Sequence, residues 1–271
     1  MTPSDQGRAV RELFGSDAAA YDSRQYGATH RTFIADRQEL VSRVFRDLSL
    51  PAGATVLDVA CGPGRFLLEA TSLGLVPVGL DTSADMLRTA RTRLGEGAHL
   101  VLGDAAALPF ASAAFDAVNC SGLIEYIPEP LPLLREILRV LKPERRALVS
   151  STNRFSPALG LSPFADAARR SALARRVVRA LRLPFDEMSL RERRFRLTFH
   201  TPRRLASLLS DAGFEPPELH YYHLQFIPHP LDRMAPAAAT ACVRLTDRLL
   251  SVRPLRILAE GLLAVARRPA E

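Results

Sequence analysis

The sequence predicts an α/β fold: a doubly wound, mostly parallel, seven-stranded Rossmann-like sheet with helical lid insertions. Short apolar runs rich in β-branched residues alternate with helical patterns between positions 55 and 151, and this alternation is typical of βαβ units. A glycine turn follows the first apolar run. The chain has 271 residues, 47% of them hydrophobic, which is enough for a sizeable core in one domain with insertions.

Local patterns place the individual elements. Up to position 151 we predict strands at 55–60, 76–80, 100–102, 115–120 and 147–151, and helices at 65–73, 83–94 and 131–141. Ser83 is the expected N-cap of the second helix. Beyond 151 we predict helices at 166–182, 203–212 and 231–252, and strands at 217–226 and 262–266. Thr201 and Gly213 are suited to cap the helix at 203–212.

The same patterns suggest how one domain spanning 1–271 is organised. Residues 1–50 have helical spacing of their apolar positions and are expected to form an N-terminal cap. Residues 154–200 are expected to be a basic helical lid insertion, and residues 228–258 a second helical insertion. Both would lie over the carboxyl edge of the sheet, where ligands bind in open α/β folds.

Charge and cysteine content constrain the partners and the compartment. The net charge is +7, and residues 154–204 alone hold 13 arginines against four acidic residues. This local excess favours an anionic substrate, a carrier-bound substrate or contact with a membrane surface, unless it is only a solvated helix face. No apolar run is long enough for a membrane span, no secretory signal is recognisable, and the three cysteines form no metal-binding or disulfide pattern. We therefore expect a cytoplasmic protein without a metal ion, and leave its oligomeric state open.

The most specific motif is V-L-D-V-A-C-G-P-G at 56–64, between the first strand and its helix. Glycines let the backbone approach a ligand closely, and the following helix directs its N-terminal amides toward it. Asp81 ends the second strand and Asp104 ends the third. Because parallel strands end at the same edge of a sheet, Asp58, Asp81 and Asp104 should converge on one crevice.

These residues resemble the class I S-adenosylmethionine-dependent methyltransferases, particularly the small-molecule branch that includes the ubiquinone and menaquinone methyltransferases. The likeness covers about residues 52–153 and rests on the loop at 56–64 and on V-G-L-D-T-S-A-D-M-L, G-D-A-A-A-L-P-F, F-D-A-V-N-C-S-G-L-I-E-Y-I and L-R-E-I-L-R-V-L-K-P. It implies the cofactor S-adenosyl-L-methionine and the product S-adenosyl-L-homocysteine.

The resemblance also implies roles for residues of the first two strands. Asp58 and the backbone of Ala60, Cys61, Gly62 and Gly64 would hold the methionine part of the cofactor. Asp81 would bind the ribose, and the adenine would be bordered by Thr82 and Met86. The first glycine of the family's loop is here Ala60, and alanine fits there if its φ angle is negative.

Further roles fall on later strands and on the N-terminus. Asp104 with Ala105 would bind the adenine edge, and Cys120 with Ser121 would line the methyl-transfer site. Tyr21 is similar to the tyrosine that often closes over the cofactor in this branch.

Methyl transfer from an activated sulfonium requires positioning more than acid–base chemistry. Few dedicated acid–base residues are therefore needed, and the sequence identifies none clearly, so the catalytic residues are unknown. His200 and Tyr126 are candidates, and Glu125 and His30 are further ones. A capping or core role competes for each of them. We expect a small-molecule acceptor methylated on oxygen, with nitrogen and carbon as alternatives, in bacterial secondary metabolism.

Three alternatives remain open. A nucleotide-dependent dehydrogenase needs G-x-G-x-x-G, but Leu67 stands where the third glycine would fall. A nucleic-acid methyltransferase would suit the basic segment, but no aromatic platform lies among the arginines. A protein that binds S-adenosylmethionine for a reaction other than methyl transfer would have the same cofactor residues.

Overall fold

A computed structural model describes residues 33–160, 197–224 and 236–270. The helices with both ends in these ranges are α1 (Phe33–Asp47), α2 (Arg65–Ser72), α3 (Ala84–Leu94), α4 (Leu131–Val140), α5 (Pro202–Ala212) and α6 (Pro236–Asp247). The strands are β1 (Thr55–Val59), β2 (Val76–Asp81), β3 (His99–Leu102), β4 (Phe115–Cys120), β5 (Leu141–Thr152), β6 (Glu218–Tyr222) and β7 (Gly261–Arg267). Three short 3₁₀ helices lie at Ile124–Tyr126, Arg248–Ser251 and Arg253–Leu258.

The strands form one seven-stranded sheet in the order β3-β2-β1-β4-β5-β7-β6. The first five strands along the chain pair in parallel, whereas β7 is antiparallel to both β5 and β6. The strand order reverses direction between β1 and β4, so the crevice for a ligand is expected outside the carboxyl ends of these two strands. The predicted fold class, a mostly parallel seven-stranded sheet, is confirmed.

Both faces of the sheet are covered, which explains why its central strands β1 and β4 are buried along almost their whole length. One hydrophobic cluster joins the sheet to α4 and α5 through residues such as Leu134 and Leu205. The other joins it to α1 and α2 through residues such as Phe45 and Phe66, whose rings meet edge to face at 4.7 Å. Within the described ranges, no helix is long and apolar enough to cross a membrane.

The helix caps form as predicted. Ser83 Oγ accepts a hydrogen bond from Met86 N at 3.2 Å, and Thr201 Oγ1 accepts one from Arg204 N at 3.2 Å. Gly213 ends α5 with φ 106°, a left-handed conformation that glycine adopts without strain.

The predicted bounds of β5 are wrong at its start. The strand begins at Leu141, six positions before the predicted 147, and α4 accordingly ends at Val140. Its polar first half is held by distant backbone: Glu144 N donates to Arg268 O at 3.0 Å and Arg268 N donates to Arg145 O at 2.9 Å. Such long-range pairing leaves no periodic signal in the local sequence.

Two later elements are shorter than predicted. β6 covers 218–222 rather than 217–226, because His223 adopts φ 57° and turns the chain. Of the helix predicted at 231–252, the α-helical part within the described residues is α6, which ends at Asp247. It is followed by the 3₁₀ helices Arg248–Ser251 and Arg253–Leu258, and the second of these has Pro254 in its first turn. The helix predicted at 166–182 lies outside the described residues, as do most of the basic segment 154–204 and of the N-terminal cap before Phe33.

A single arginine after the last strand satisfies carbonyl groups at the end of α4. Arg268 Nη1 donates to Leu138 O and Arg139 O at 3.1 Å each and to Leu141 O at 2.5 Å. The last turn of a helix has carbonyls without intrahelical partners, and a cation there also interacts favourably with the helix dipole.

We therefore expect Arg268→Ala to lower the free energy of unfolding by about 2 kcal/mol, because charged hydrogen bonds to helix-end carbonyls are lost. The neighbouring Arg267→Ala is the matched control. Its ion pairs with Glu144 and Glu215 lie on the surface, so it should cost at most about 1 kcal/mol. Urea unfolding of both variants measures this, and equal losses would contradict the capping role.

Candidate functional site

The loop after β1 is shaped by left-handed backbone conformations. Ala60 has φ 59°, Gly62 φ 52° and Gly64 φ 78°. A Cβ on Gly62 would meet no atom within 4 Å, so open space lies beside this backbone. A Cβ on Gly64 would lie 2.9 Å from Leu94 Cδ1 and 3.1 Å from Ala90 Cβ, so glycine is needed there for close packing of α3. The condition under which alanine would fit this position, a negative φ angle, is not met, and alanine is strained here.

Asp81 connects the end of β2 to this loop. Its Oδ2 accepts a hydrogen bond from Gly62 N at 2.9 Å, and its Oδ1 accepts one from Ser83 N at 2.9 Å. A carboxylate has about four acceptor positions, so each oxygen can still accept one hydrogen bond from a ligand. Burial raises the pKa of Asp81, and the backbone N–H groups of Ser83, Gly62 and Thr82 oppose that rise.

Asp58 lies at the end of β1 and is held by β4. Asn119 Nδ2 donates to Asp58 Oδ1 at 2.7 Å, and Ser121 Oγ donates to Asn119 Oδ1 at 2.7 Å. Burial raises the pKa of Asp58 to about 7; the Asn119 hydrogen bond opposes this, nearby Asp81 adds to it, and Arg37 opposes it. Two buried carboxylates at adjacent strand ends therefore form a site that favours a cationic ligand.

Both cysteines of the predicted site have their thiols in the core. The Cys61 side chain is buried, and its Sγ lies 2.8 Å from where a Cβ on Gly79 would be. The Cys120 side chain is fully buried among Leu57, Val118 and their neighbours. The Cys120 thiol therefore points into the core, so only the backbone of Cys120 is left to line the predicted methyl-transfer site. Burial raises the pKa of both thiols, which keeps them protonated.

The residues predicted near the adenine lie at the ends of β2 and β3. Thr82 is half-buried, and the Met86 side chain is buried at the start of α3. Asp104 is exposed and its Oδ1 accepts a hydrogen bond from Ala106 N at 2.9 Å, while Ala105 is buried in the core. The structure thus brings Asp58, Asp81 and the loop together and places Asp104 on the outer rim.

The candidate acid–base residues differ in their surroundings. His200 is buried beside β5 with its Nδ1 3.0 Å from Ser151 Oγ, and burial followed by the nearby Arg204 lowers its pKa. These contacts favour a core role for His200. Tyr126 is half-buried in the 3₁₀ helix after β4, directly after the buried Glu125. Tyr21 and His30 lie outside the described residues.

Sequence reasoning missed the residues that complete this edge of the sheet. Asn119 is a polar residue inside a buried strand, and that pattern was the available signal. Arg37 of α1 has no such signal in the sequence. Its guanidinium lies at the end of β4, because a Cβ on Gly122 would overlap it. The described residues contain no cluster of side chains suited to a metal ion.

The strand order, the glycine loop after β1 and the carboxylate at the end of β2 together define the class I methyltransferase architecture. Residues 57–149 match the family model "Methyltransferase domain". This match covers about a third of the chain. Together with the fold, it confirms the predicted resemblance to the class I S-adenosylmethionine-dependent methyltransferases and the predicted cofactor.

Named relatives agree with this assignment. The chain is 33% identical over 147 residues to the biotin biosynthesis bifunctional protein BioHC of Cellvibrio japonicus, covering 53% of the chain and 27% of that protein. It is 32% identical over 160 residues to the demethylmenaquinone methyltransferase of Lactococcus lactis, covering 56% and 62%. The chain thus spans less than two thirds of the length of either relative.

Among solved structures, the fold is similar to that of magnesium protoporphyrin IX methyltransferase from Synechocystis PCC 6803 with bound SAH. The TM-score is 0.62 at 17% identity, over 97% of this chain and 99% of that one. The agreement covers nearly the whole chain, and at this identity it concerns the fold alone.

The positive φ of Ala60 generates a stability prediction. Ala60→Gly should raise the free energy of unfolding by about 1 kcal/mol, because glycine adopts the left-handed conformation without the clash that Cβ causes. Ala106→Gly is the control, since Ala106 is not among the described residues with positive φ. It should give no gain. Urea unfolding compares the two, and a stability loss in Ala60→Gly would contradict the strain.

Proposed function

We propose that this protein transfers a methyl group from S-adenosyl-L-methionine to a small-molecule acceptor. The observation that carries the proposal is the pair of buried carboxylates, Asp58 and Asp81, on either side of the loop at 60–64. The names of the relatives support a small-molecule acceptor, because demethylmenaquinone and magnesium protoporphyrin IX are both small molecules.

The described residues fit the cofactor. Asp58 would bind its ammonium group, and the backbone of Ala60, Cys61, Gly62 and Gly64 would lie along the methionine chain, where Gly62 leaves open space. Asp81 would accept hydrogen bonds from the two ribose hydroxyls while keeping those from Gly62 N and Ser83 N.

The rest of the cofactor would lie along the next strand ends. Thr82, Met86, Asp104 and Ala105 would border the adenine. Ser121, with the backbone of Cys120, would face the methyl group. When bound, the cofactor supplies a methyl group already activated on a sulfonium.

The part of the protein that selects the acceptor is proposed to lie over this edge. We assign the cap at 1–50 and the insertions at 154–200 and 228–258 to one domain with the sheet, and propose that Tyr21 closes over the cofactor. The basic charge of 154–204 would favour an anionic or carrier-bound acceptor, or a membrane surface. Oxygen is the expected methylated atom, in a biosynthetic, secondary-metabolic reaction.

The cofactor site is tested by calorimetric titration with S-adenosylhomocysteine. Asp81→Ala should weaken binding by about tenfold or more, because charged hydrogen bonds to ribose hydroxyls contribute about 1.5–3 kcal/mol. Asp211→Ala, an exposed position on α5, is the matched control and should bind normally. A folded wild-type protein that does not bind S-adenosylhomocysteine would refute the proposal, and equal affinity in both variants would refute the role of Asp81.

The raised pKa of Asp58 predicts that cofactor binding depends on pH. The ammonium group of S-adenosylhomocysteine favours ionised Asp58, so binding near pH 6 must release a proton that is already lost near pH 8.5. Since the pKa in the free protein is about 7, affinity should fall as pH drops below 7, by up to about tenfold per pH unit.

Calorimetry in two buffers of different ionisation enthalpy measures the released protons directly. Asp58→Asn, which keeps the shape of the side chain and cannot ionise, should bind more weakly and lose this pH dependence. An equal number of released protons near pH 6 and near pH 8.5 in the wild-type protein would contradict the assignment.

A further inference from the structure

Two buried oxygen atoms near the end of β4 lack hydrogen-bond partners. The Glu125 side chain is 5% exposed and Tyr222 is 6% exposed. Among the described residues, neither Glu125 Oε2 nor the Tyr222 hydroxyl makes a hydrogen bond. Burying a polar atom without a partner is unfavourable, so such atoms commonly mark a place where a ligand or water completes the structure.

Glu125 is held firmly while this one oxygen stays available. Its Oε1 accepts hydrogen bonds from Thr152 N at 2.9 Å and from Thr152 Oγ1 at 3.1 Å. Its backbone carbonyl accepts another from Thr198 N at 2.8 Å. The carboxylate is therefore fixed at the end of β5, and Oε2 is preorganised to accept a hydrogen bond.

Tyr222 reaches the same strand end across a glycine. Gly261 of β7 pairs with Tyr222 on one side and with Thr152 on the other, and directly paired residues project to the same face of a sheet. A Cβ on Gly261 would overlap the Tyr222 ring. The ring thus lies over the bare glycine and points from β6 toward β5.

The hydroxyl of Tyr222 arrives beside Ser150, close to the expected methyl-transfer site. Ser150 lies near enough to the Tyr222 hydroxyl to oppose the rise of its pKa, but the hydroxyl has no partner among the described residues that meets the full geometry of a hydrogen bond. Instead, Ser150 Oγ accepts a hydrogen bond at 2.9 Å from the backbone N–H of Gly122, two residues after β4. Both available oxygens therefore lie around the segment that follows β4.

Helix α1 covers this place from above. Phe33 stacks on the Tyr222 ring with centroids 5.3 Å apart, and the Arg37 guanidinium lies against Gly122. Burial raises the pKa of Tyr222; Arg37 opposes the rise, and Glu125 and Glu260 add to it. The tyrosine therefore keeps its proton and can donate as well as accept a hydrogen bond.

We propose that Glu125 Oε2 and the Tyr222 hydroxyl form the acceptor subsite and bind a hydroxyl or amine group of the methyl acceptor. This inference rests on the proposed function and specifies its acceptor. A hydroxyl or amine donates a hydrogen bond to Glu125 and accepts one from Tyr222. A carboxylate acceptor would be repelled by Glu125, and an acceptor without an N–H or O–H group would leave Oε2 unpaired.

The probe is phenol, a small compound that carries a hydroxyl, and its methyl ether anisole is the matched probe without a donor. Binding is measured by saturation-transfer NMR, with and without S-adenosylhomocysteine. Phenol should bind saturably, and anisole at least tenfold more weakly. Glu125→Gln keeps the acceptor for Thr152 and replaces Oε2 with a donor, and Tyr222→Phe removes only the hydroxyl. Each should weaken phenol binding at least fivefold and leave S-adenosylhomocysteine affinity unchanged.

Tyr221→Phe is the control, because Tyr221 projects to the opposite face of β6 and packs against the other core cluster; it should leave phenol binding unchanged. Since the Tyr222 hydroxyl has no partner to lose, Tyr222→Phe should not lower the urea midpoint. A lowered midpoint, unchanged phenol binding in Tyr222→Phe, or no saturable phenol binding to the wild-type protein would overturn the subsite. A wild-type protein that binds phenol but not S-adenosylhomocysteine would overturn the proposed function and not the subsite. Phenol binding measured in the absence of S-adenosylhomocysteine tests the subsite independently.

Discussion

The burial of two carboxylates side by side is the constraint on which the site depends. Asp58 and Asp81 end adjacent parallel strands, and each disfavours the ionisation of a buried neighbour. The sheet tolerates them because the Asn119 side chain and the backbone N–H groups of Gly62 and Ser83 bind their oxygens. The hydrogen bond from Gly62 N also fixes the loop after β1. The carboxylates therefore provide the negative charge for a cationic ligand and hold the loop that would bind it.

Two glycines at the same edge of the sheet leave room for side chains from other elements. Gly122 admits the Arg37 guanidinium and Gly261 admits the Tyr222 ring. Helix α1 is in turn anchored to α2, where Ser42 and Arg46 both bind Glu69. The helix that carries Arg37 is thus held by contacts with α2 outside the site, and no motif contains them.

The sequence was informative where structure is local. The strand–loop–helix unit around 56–64, the caps Ser83 and Thr201, and the carboxylates at strand ends follow from periodicity and from turn chemistry. The sequence was uninformative where an element depends on residues far away along the chain. The polar start of β5 exists because Arg268 lies beside it, and Tyr222 enters the site only because two strands far apart in sequence flank Gly261. The left-handed φ angle of Ala60 has a related origin, because the loop after β1 is held by partners from β2: Gly62 N donates to Asp81 and Cys61 N donates to Leu80 O.

The two halves of the crevice differ in how complete they are. On the cofactor side, the oxygens of Asp58 and Asp81 already bind side-chain and backbone donors, so the site is formed before a ligand arrives. On the acceptor side, within the described part of the chain, Glu125 and Tyr222 keep one unpaired oxygen each. A formed cofactor site binds a constant ligand with little reorganisation. An acceptor site with unpaired buried oxygens instead rejects molecules that cannot pair with them, so these two oxygens would carry selectivity that the sheet alone does not provide.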